Sequence, residues 1–113
     1  MRITVEKKAK KLVQIKIKSE SISFDCSIEF RAFMQAAIEQ CQSPCFIIDM
    51  TDVNFIDSSG IAILMYSNKL CNEKETEMYL LNIPPSLEEL LKISNLNSFR
   101  IIDKNQYEEM FES

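Results

Sequence analysis

A chain of 113 residues that is 46% apolar carries enough hydrophobic side chain for one core and too little length for two. With 13 basic and 17 acidic residues the net charge is −4, the wrong sign for a protein whose main partner is a nucleic-acid backbone. The sequence has no histidine and one glycine, which excludes Ser–His and Cys–His nucleophile pairs, histidine-bearing zinc sites, a Walker loop and a dinucleotide fingerprint, so no self-sufficient enzyme is expected.

In chain order, Ile3 and Val5 alternate with polar residues, as do Val13, Ile15 and Ile17. This period of two predicts a pair of half-buried strands joined by the polar Lys7–Lys11 turn. Phe30, Phe33, Met34, Ala37, Ile38 and Cys41 then fall on one stripe, which predicts a helix over Ser27–Gln42, capped by Asp25 or Ser27 and ended by Pro44. The continuous apolar run Cys45–Ile48 suits a central strand covered on both faces. A loop over Met50–Asp57 should tuck Val53, Phe55 and Ile56 under the sheet, before a helix from Ser58 to about Glu73.

Further along, Glu77–Ile83 reads as a strand, and Pro84-Pro85-Ser86 opens a short helix with Leu87, Leu90 and Leu91 on one face. Phe99–Ile102 is a last strand, and Tyr107, Met110 and Phe111 share the face of a terminal helix. The order ββαβαβαβα predicts a single α/β domain over residues 1–113. Its sheet should be mixed and mostly parallel, with four to five strands and about four helices.

Cys26, Cys41, Cys45 and Cys71 lack paired C-x2-C knuckles and read as reduced, buried thiols, with no metal site. Seven basic residues and one acidic one precede Ser19, a bias that fits lysines guarding an edge strand. No secretory signal is legible, and the longest apolar stretch, Ile61–Tyr66, is far short of the ~20 residues that span a bilayer. A cytoplasmic location without direct membrane insertion is expected.

The most informative segment is residues 49 to 61, Asp-Met-Thr-Asp-Val-Asn-Phe-Ile-Asp-Ser-Ser-Gly-Ile. Physically it is a buried strand running into a loop and then a helix, where Asp57 and Ser58 offer oxygens to the orphan amides of the first turn. Gly60, the only glycine, sits where a missing side chain admits a close neighbour. On the following helix Ile61, Leu64, Met65 and Cys71 form one stripe, while Ala62, Ile63, Tyr66 and Leu70 form another. One stripe must face the sheet, and the other is covered by a helix or docks a partner.

This segment resembles the signature of the STAS domain family, in particular its bacterial anti-sigma factor antagonists. The matched positions are Asp49, Met50, Thr51, Val53, Phe55, Ile56, Asp57, Ser58, Ser59, Gly60 and Ile61, and Leu91, Ser94, Leu96, Phe99, Ile101 and Ile102 continue the likeness. Asn95 replaces a family glycine, and Ser21–Asp25 keeps only the apolar residue and the acid of the family's pattern before the first helix.

The resemblance implies a non-catalytic switch with no cofactor of its own. Its phosphoacceptor would be Ser58, with Ser59 as the alternative. Its partners would be an anti-sigma serine/threonine kinase and a metal-dependent serine phosphatase; no nucleic acid takes part. A partner surface of Asp25, Asp57, Ser58, Ser59, Gly60, Ala62, Ile63 and Tyr66 is expected. The alternative the resemblance leaves open is an unphosphorylated accessory subunit of a membrane transport ATPase complex.

Overall fold

The structure, a computed structural model, describes residues 1–94 and 98–112. Its first two strands, β1 (Ile3–Lys8) and β2 (Val13–Ile17), form the expected antiparallel pair. Next come a short strand β3 (Ser21–Ile22), a 3-10 turn (Phe24–Cys26) and helix α1 (Ser27–Gln40). Strand β4 (Cys45–Asp49), a second short strand β5 (Phe55–Ile56) and helix α2 (Ser58–Glu73) follow. The remainder is β6 (Glu77–Leu81), α3 (Pro85–Ser94), β7 (Arg100–Ile102) and α4 (Lys104–Tyr107), which widens into a π-helical turn over Glu108–Glu112.

Five strands make one sheet in the order β1-β2-β4-β6-β7, antiparallel only between β1 and β2. The apolar run of β4 explains its central place. Phe46 and Ile48 face a large core with α1, α2 and α3, while Ile47 faces a smaller one with Tyr79, Leu81, Ile102 and Tyr107. All three β4 side chains are fully buried. The α1 stripe behaves as its spacing predicts, with Phe30, Met34, Ile38 and Cys41 in the core and Phe33 and Ala37 packed at its margin. The radius of gyration is 13.0 Å, the value of about 13 Å that packing gives a chain of this length.

Several expectations need correction. Neither Asp25 nor Ser27 caps α1. Cys26 holds that position without a side-chain cap, because the chain enters the helix through the 3-10 turn rather than from an extended residue. Leu90 is on the solvent side of α3, and Met110 is exposed because the π-helical turn changes the spacing that would have stacked it on Tyr107. Strand β5 falls in the stretch expected as a loop and β3 in one given no element, and each has only two residues, too few to display an alternation. Of the positions that continue the family likeness, Leu96 lies outside the described residues, as does Asn95.

The two short strands position the helix starts. They pair in parallel, Ser21 beside Phe55 and Ile22 beside Ile56. Asn54 and Phe55 both donate backbone hydrogen bonds to Glu20 O, and Asp57 N donates to Ile22 O. The segment before α1 is thereby tied to the segment before α2, and the two helices start side by side.

Candidate functional site

The site is built at the start of α2. Asp57 is extended (φ −97°, ψ −177°), and its Oδ1 accepts from Gly60 N at 3.1 Å, the expected N-cap. Its other oxygen, Oδ2, accepts from Phe24 N at 3.0 Å, across 33 residues of sequence. One carboxylate thus satisfies an orphan amide of α2 and holds the turn that leads into α1.

Gly60 sits at the floor of this arrangement. A Cβ there would lie 2.6 Å from Ile56 Cγ1, 2.8 Å from Ile22 Cγ2 and 3.0 Å from Ile22 O. The close approach expected from the sequence is therefore real, and it comes from the β3–β5 pair.

The two serines differ. Ser58 is exposed, and among the described residues its hydroxyl makes no hydrogen bond to protein; Ser59 is half-buried. An incoming group reaches Ser58 first. A dianion placed there would meet the positive end of the α2 dipole on one side and the Asp57 carboxylate on the other.

The stripe assignment on α2 changes. The buried residues are Gly60, Ile63, Leu64, Ser67, Asn68 and Cys71, a regular three-and-four spacing that faces the sheet and α1. Ile63 is 7% exposed and belongs to the core, so it does not lie on an accessible face with Ala62. Met65, grouped by spacing with Ile61, Leu64 and Cys71, is exposed and leaves their stripe. Polar residues inside the stripe hid it from a count of apolar positions. Ser67 returns its hydroxyl to Ile63 O at 2.8 Å, and Asn68 Nδ2 donates to Ser98 O at 3.2 Å, which is how they enter a core.

Ala62 remains exposed. Tyr66 is half-buried with the Arg31 guanidinium of α1 stacked 4.5 Å from its ring centroid. Asp25 is exposed in the 3-10 turn. Phe55 does not tuck inward; it is 50% exposed, because Ile56 takes the core position of that two-residue strand.

Two residues of this surface were not anticipated. Phe24 is 74% exposed and Ile28 is 85% exposed, on the turn and first helical residues anchored by Asp57. The sequence did carry a signal for Ile28, an isoleucine standing off the apolar stripe of its helix. No signal identified Phe24, whose exposure follows from the turn geometry.

Among the described residues no group of three or more Cys, Asp or Glu side chains could hold a metal ion. The four cysteines are free thiols, Cys41 and Cys71 buried. Burial pushes the Cys71 thiol up to about 12, and burial likewise raises Cys45 and the Tyr79 phenol above their ordinary values, none of them at the start of α2. Among the described residues no helix is long and apolar enough to cross a membrane.

The fold and this helix start define a class. The STAS domain model matches residues 4–109, and the chain belongs to that family. It is similar to the anti-sigma F factor antagonist of Paenibacillus polymyxa, 30% identical over 76 residues. That match covers 67% of this chain and 65% of the relative, just under two thirds of the relative's length.

Solved structures share the fold, and two of them serve as examples. One is the anti-sigma factor antagonist SpoIIAA in its unphosphorylated form, with a TM-score of 0.72 at 18% identity over 98% of this chain and 96% of that one. The other is the Bacillus cell fate determinant SpoIIAA in the phosphorylated form, with a TM-score of 0.73 at 20% identity over 98% of both chains.

Proposed function

We propose that this chain is an anti-sigma factor antagonist, a regulatory binding module controlled by phosphorylation of Ser58. The observation that carries the reading is the exposed, unengaged Ser58 hydroxyl on the first turn of α2, beside an Asp57 carboxylate that also anchors the Phe24 turn. Membership of the STAS family and likeness to a relative named anti-sigma F factor antagonist support it.

In this reading the unmodified protein binds an anti-sigma serine/threonine kinase and thereby frees a sigma factor. The surface that docks comprises Asp25, Asp57, Ser58 and Ala62, with Tyr66 at its margin and exposed Phe24 and Ile28 supplying apolar area. Ser59 and Gly60 lie beneath, shaping the turn. The kinase brings ATP and magnesium, and transfers the phosphoryl group to Ser58 Oγ with loss of the hydroxyl proton. A metal-dependent serine phosphatase restores the Ser58 hydroxyl by hydrolysis, with water as the source of the nucleophile and inorganic phosphate released.

Phosphate adds about −1.5 to −2 charges at pH 7. The α2 amides tolerate that charge in the free protein, so the fold persists. At a desolvated interface, with Asp57 adjacent, the same charge costs several kcal/mol, and each ~1.4 kcal/mol is tenfold in affinity.

The test is incubation with the cognate kinase and ATP, mapping of phosphate by mass spectrometry, and titration of the kinase with both forms. Incorporation at Ser58, its loss in Ser58→Ala, and at least about tenfold weaker binding of the phosphorylated form are expected. Stable binding of a transport ATPase with no phosphate on Ser58 or Ser59 would instead make the chain an accessory subunit and overturn the proposal.

A further inference from the structure

At the end of the sheet opposite Ser58, the first edge does not close against α1. Register sets Val5 opposite Ile15 and, after an irregularity between Val5 and Lys7, sets Lys8 opposite Val13. Val5, Lys8, Val13 and Ile15 therefore share the α1 side of the sheet. Helix α1 presents Ala36 and Ala37 there, side chains too short to reach β1. A slot of about 180 Å³ remains, with Phe33 and Cys41 also in its walls. Val5, 57% exposed, forms its lip.

The slot adjoins a second hollow of about 450 Å³, where Lys10, Gln42 and Ser43 join the shared Lys8, Val13 and Gln40. Among the described residues, no Asp or Glu lines either hollow, in a chain with more acids than bases. The ion pairs that the described lysines form use Lys7, Lys16 and Lys92, and leave Lys8 and Lys10 for another anion.

The irregularity in β1 is what creates this pairing of properties. Strict alternation from Ile3 and Val5 would turn Lys7 toward α1. Instead Lys7 goes to the other face, beside Glu112 and the Tyr107 ring, and Lys8 stands at the mouth of the apolar slot.

We propose that slot and hollow together bind a small anionic amphiphile, a free medium-chain carboxylate. Its tail lies between β1 and α1, and its head meets Lys8 and Lys10. At roughly 30 Å³ per water-sized group, the slot has room for about six chain carbons. The apolar walls reward a tail, and two lysines that form no ion pair among the described residues select the sign of the head. The hollows lie away from the α2 start, so the site stands or falls independently of the Ser58 reading.

The test is titration of the whole protein with octanoate, octanol and octyltrimethylammonium, followed by amide chemical shifts. Saturable shifts at Val5, Lys8, Ala36 and Ala37 with octanoate are expected, with octanol weaker and the ammonium compound inert. The Lys8→Glu, Lys10→Glu double variant should weaken octanoate by about tenfold, as loss of charge-assisted contacts implies. Ala36→Phe, at an exposed position that leaves the core intact, should block the slot and abolish the shifts.

Equal response to all three probes, shifts confined to other surfaces, or full binding by Ala36→Phe would overturn the proposal. So would self-association through this face that Ala36→Phe abolishes, because a second copy would then be the occupant.

Discussion

Gly60 and Asp57 illustrate how much a single position can decide. The glycine is required by space rather than by backbone angle, since its notional Cβ collides with two isoleucine side chains and approaches a carbonyl. Gly60→Ala should destabilise the fold by about 1–3 kcal/mol through forced displacement of β3 and β5. For a domain near this size that lowers the midpoint of thermal unfolding by roughly 4–8 °C per kcal/mol, readable by calorimetry.

Cys71 offers a pH prediction at the same scale. Its thiol holds its proton up to about 12 in the folded chain, against an ordinary value of 9.0 in the unfolded one. Well below 9.0 both states are protonated and the group has no effect on the balance. Between 9.0 and about 12 the unfolded chain loses the proton first, so stability falls as pH rises. The raised values of Cys45 and Tyr79 act with the same sign. Urea unfolding of Cys71→Ala beside the parent chain, at about pH 8 and about pH 10.5, should show a shallower loss in the variant.

At the scale of elements, α1 and α2 are locked at both ends. At their starts the lock is the Asp57 carboxylate. At their far ends Lys74 Nζ donates to Ile38 O at 2.6 Å, Glu39 O at 3.1 Å and Cys41 O at 2.6 Å, placing a cation on the negative end of α1. Lys74→Met should lower stability by about 1–2 kcal/mol, seen as a lower urea midpoint with an unchanged m-value.

The next residue carries strain of the opposite kind. Glu75 has φ 60° and closes α2 in a Schellman arrangement, with Glu75 N donating to Asn72 O and Thr76 N to Cys71 O. Glycine is the usual occupant of that left-handed position. Glu75→Gly should therefore raise stability by about 1 kcal/mol, visible as a higher unfolding midpoint.

Over the whole molecule, the α4 side of the sheet is held by residues from the two ends of the chain. Tyr107 donates its hydroxyl to Gln14 Oε1 across 93 residues, with both side chains buried, and Phe111 packs edge-on to Tyr79 at 5.7 Å. Tyr107→Phe keeps the ring and strands a buried amide oxygen. It should cost about 1–3 kcal/mol, and hydrogen exchange should quicken in β2 and α4 before the α1–α2 side responds. The α1–α2 core and the helix start that carries Ser58 lie across the sheet from this contact, so the site should outlast a loosened α4.

The number, order and kind of the long elements are legible in the residue pattern. Periods of two and of three-and-four survive in residue identity wherever an element is long enough to repeat them, as in β2 and α1. It also located the helix start, because Asp-Ser-Ser-Gly is local chemistry whose capping partners lie within about four residues. Tertiary structure alone decided which face of α2 is inner, since Ser67 and Asn68 are admitted to the core only by the acceptors they find there. The β3–β5 pair, the second bond of Asp57 to Phe24 N and the exposure of Phe24 and Ile28 were likewise settled by segments far apart in the chain. A hydrogen bond across 33 residues leaves no period or spacing in either segment, so it exists as information only once the chain has folded.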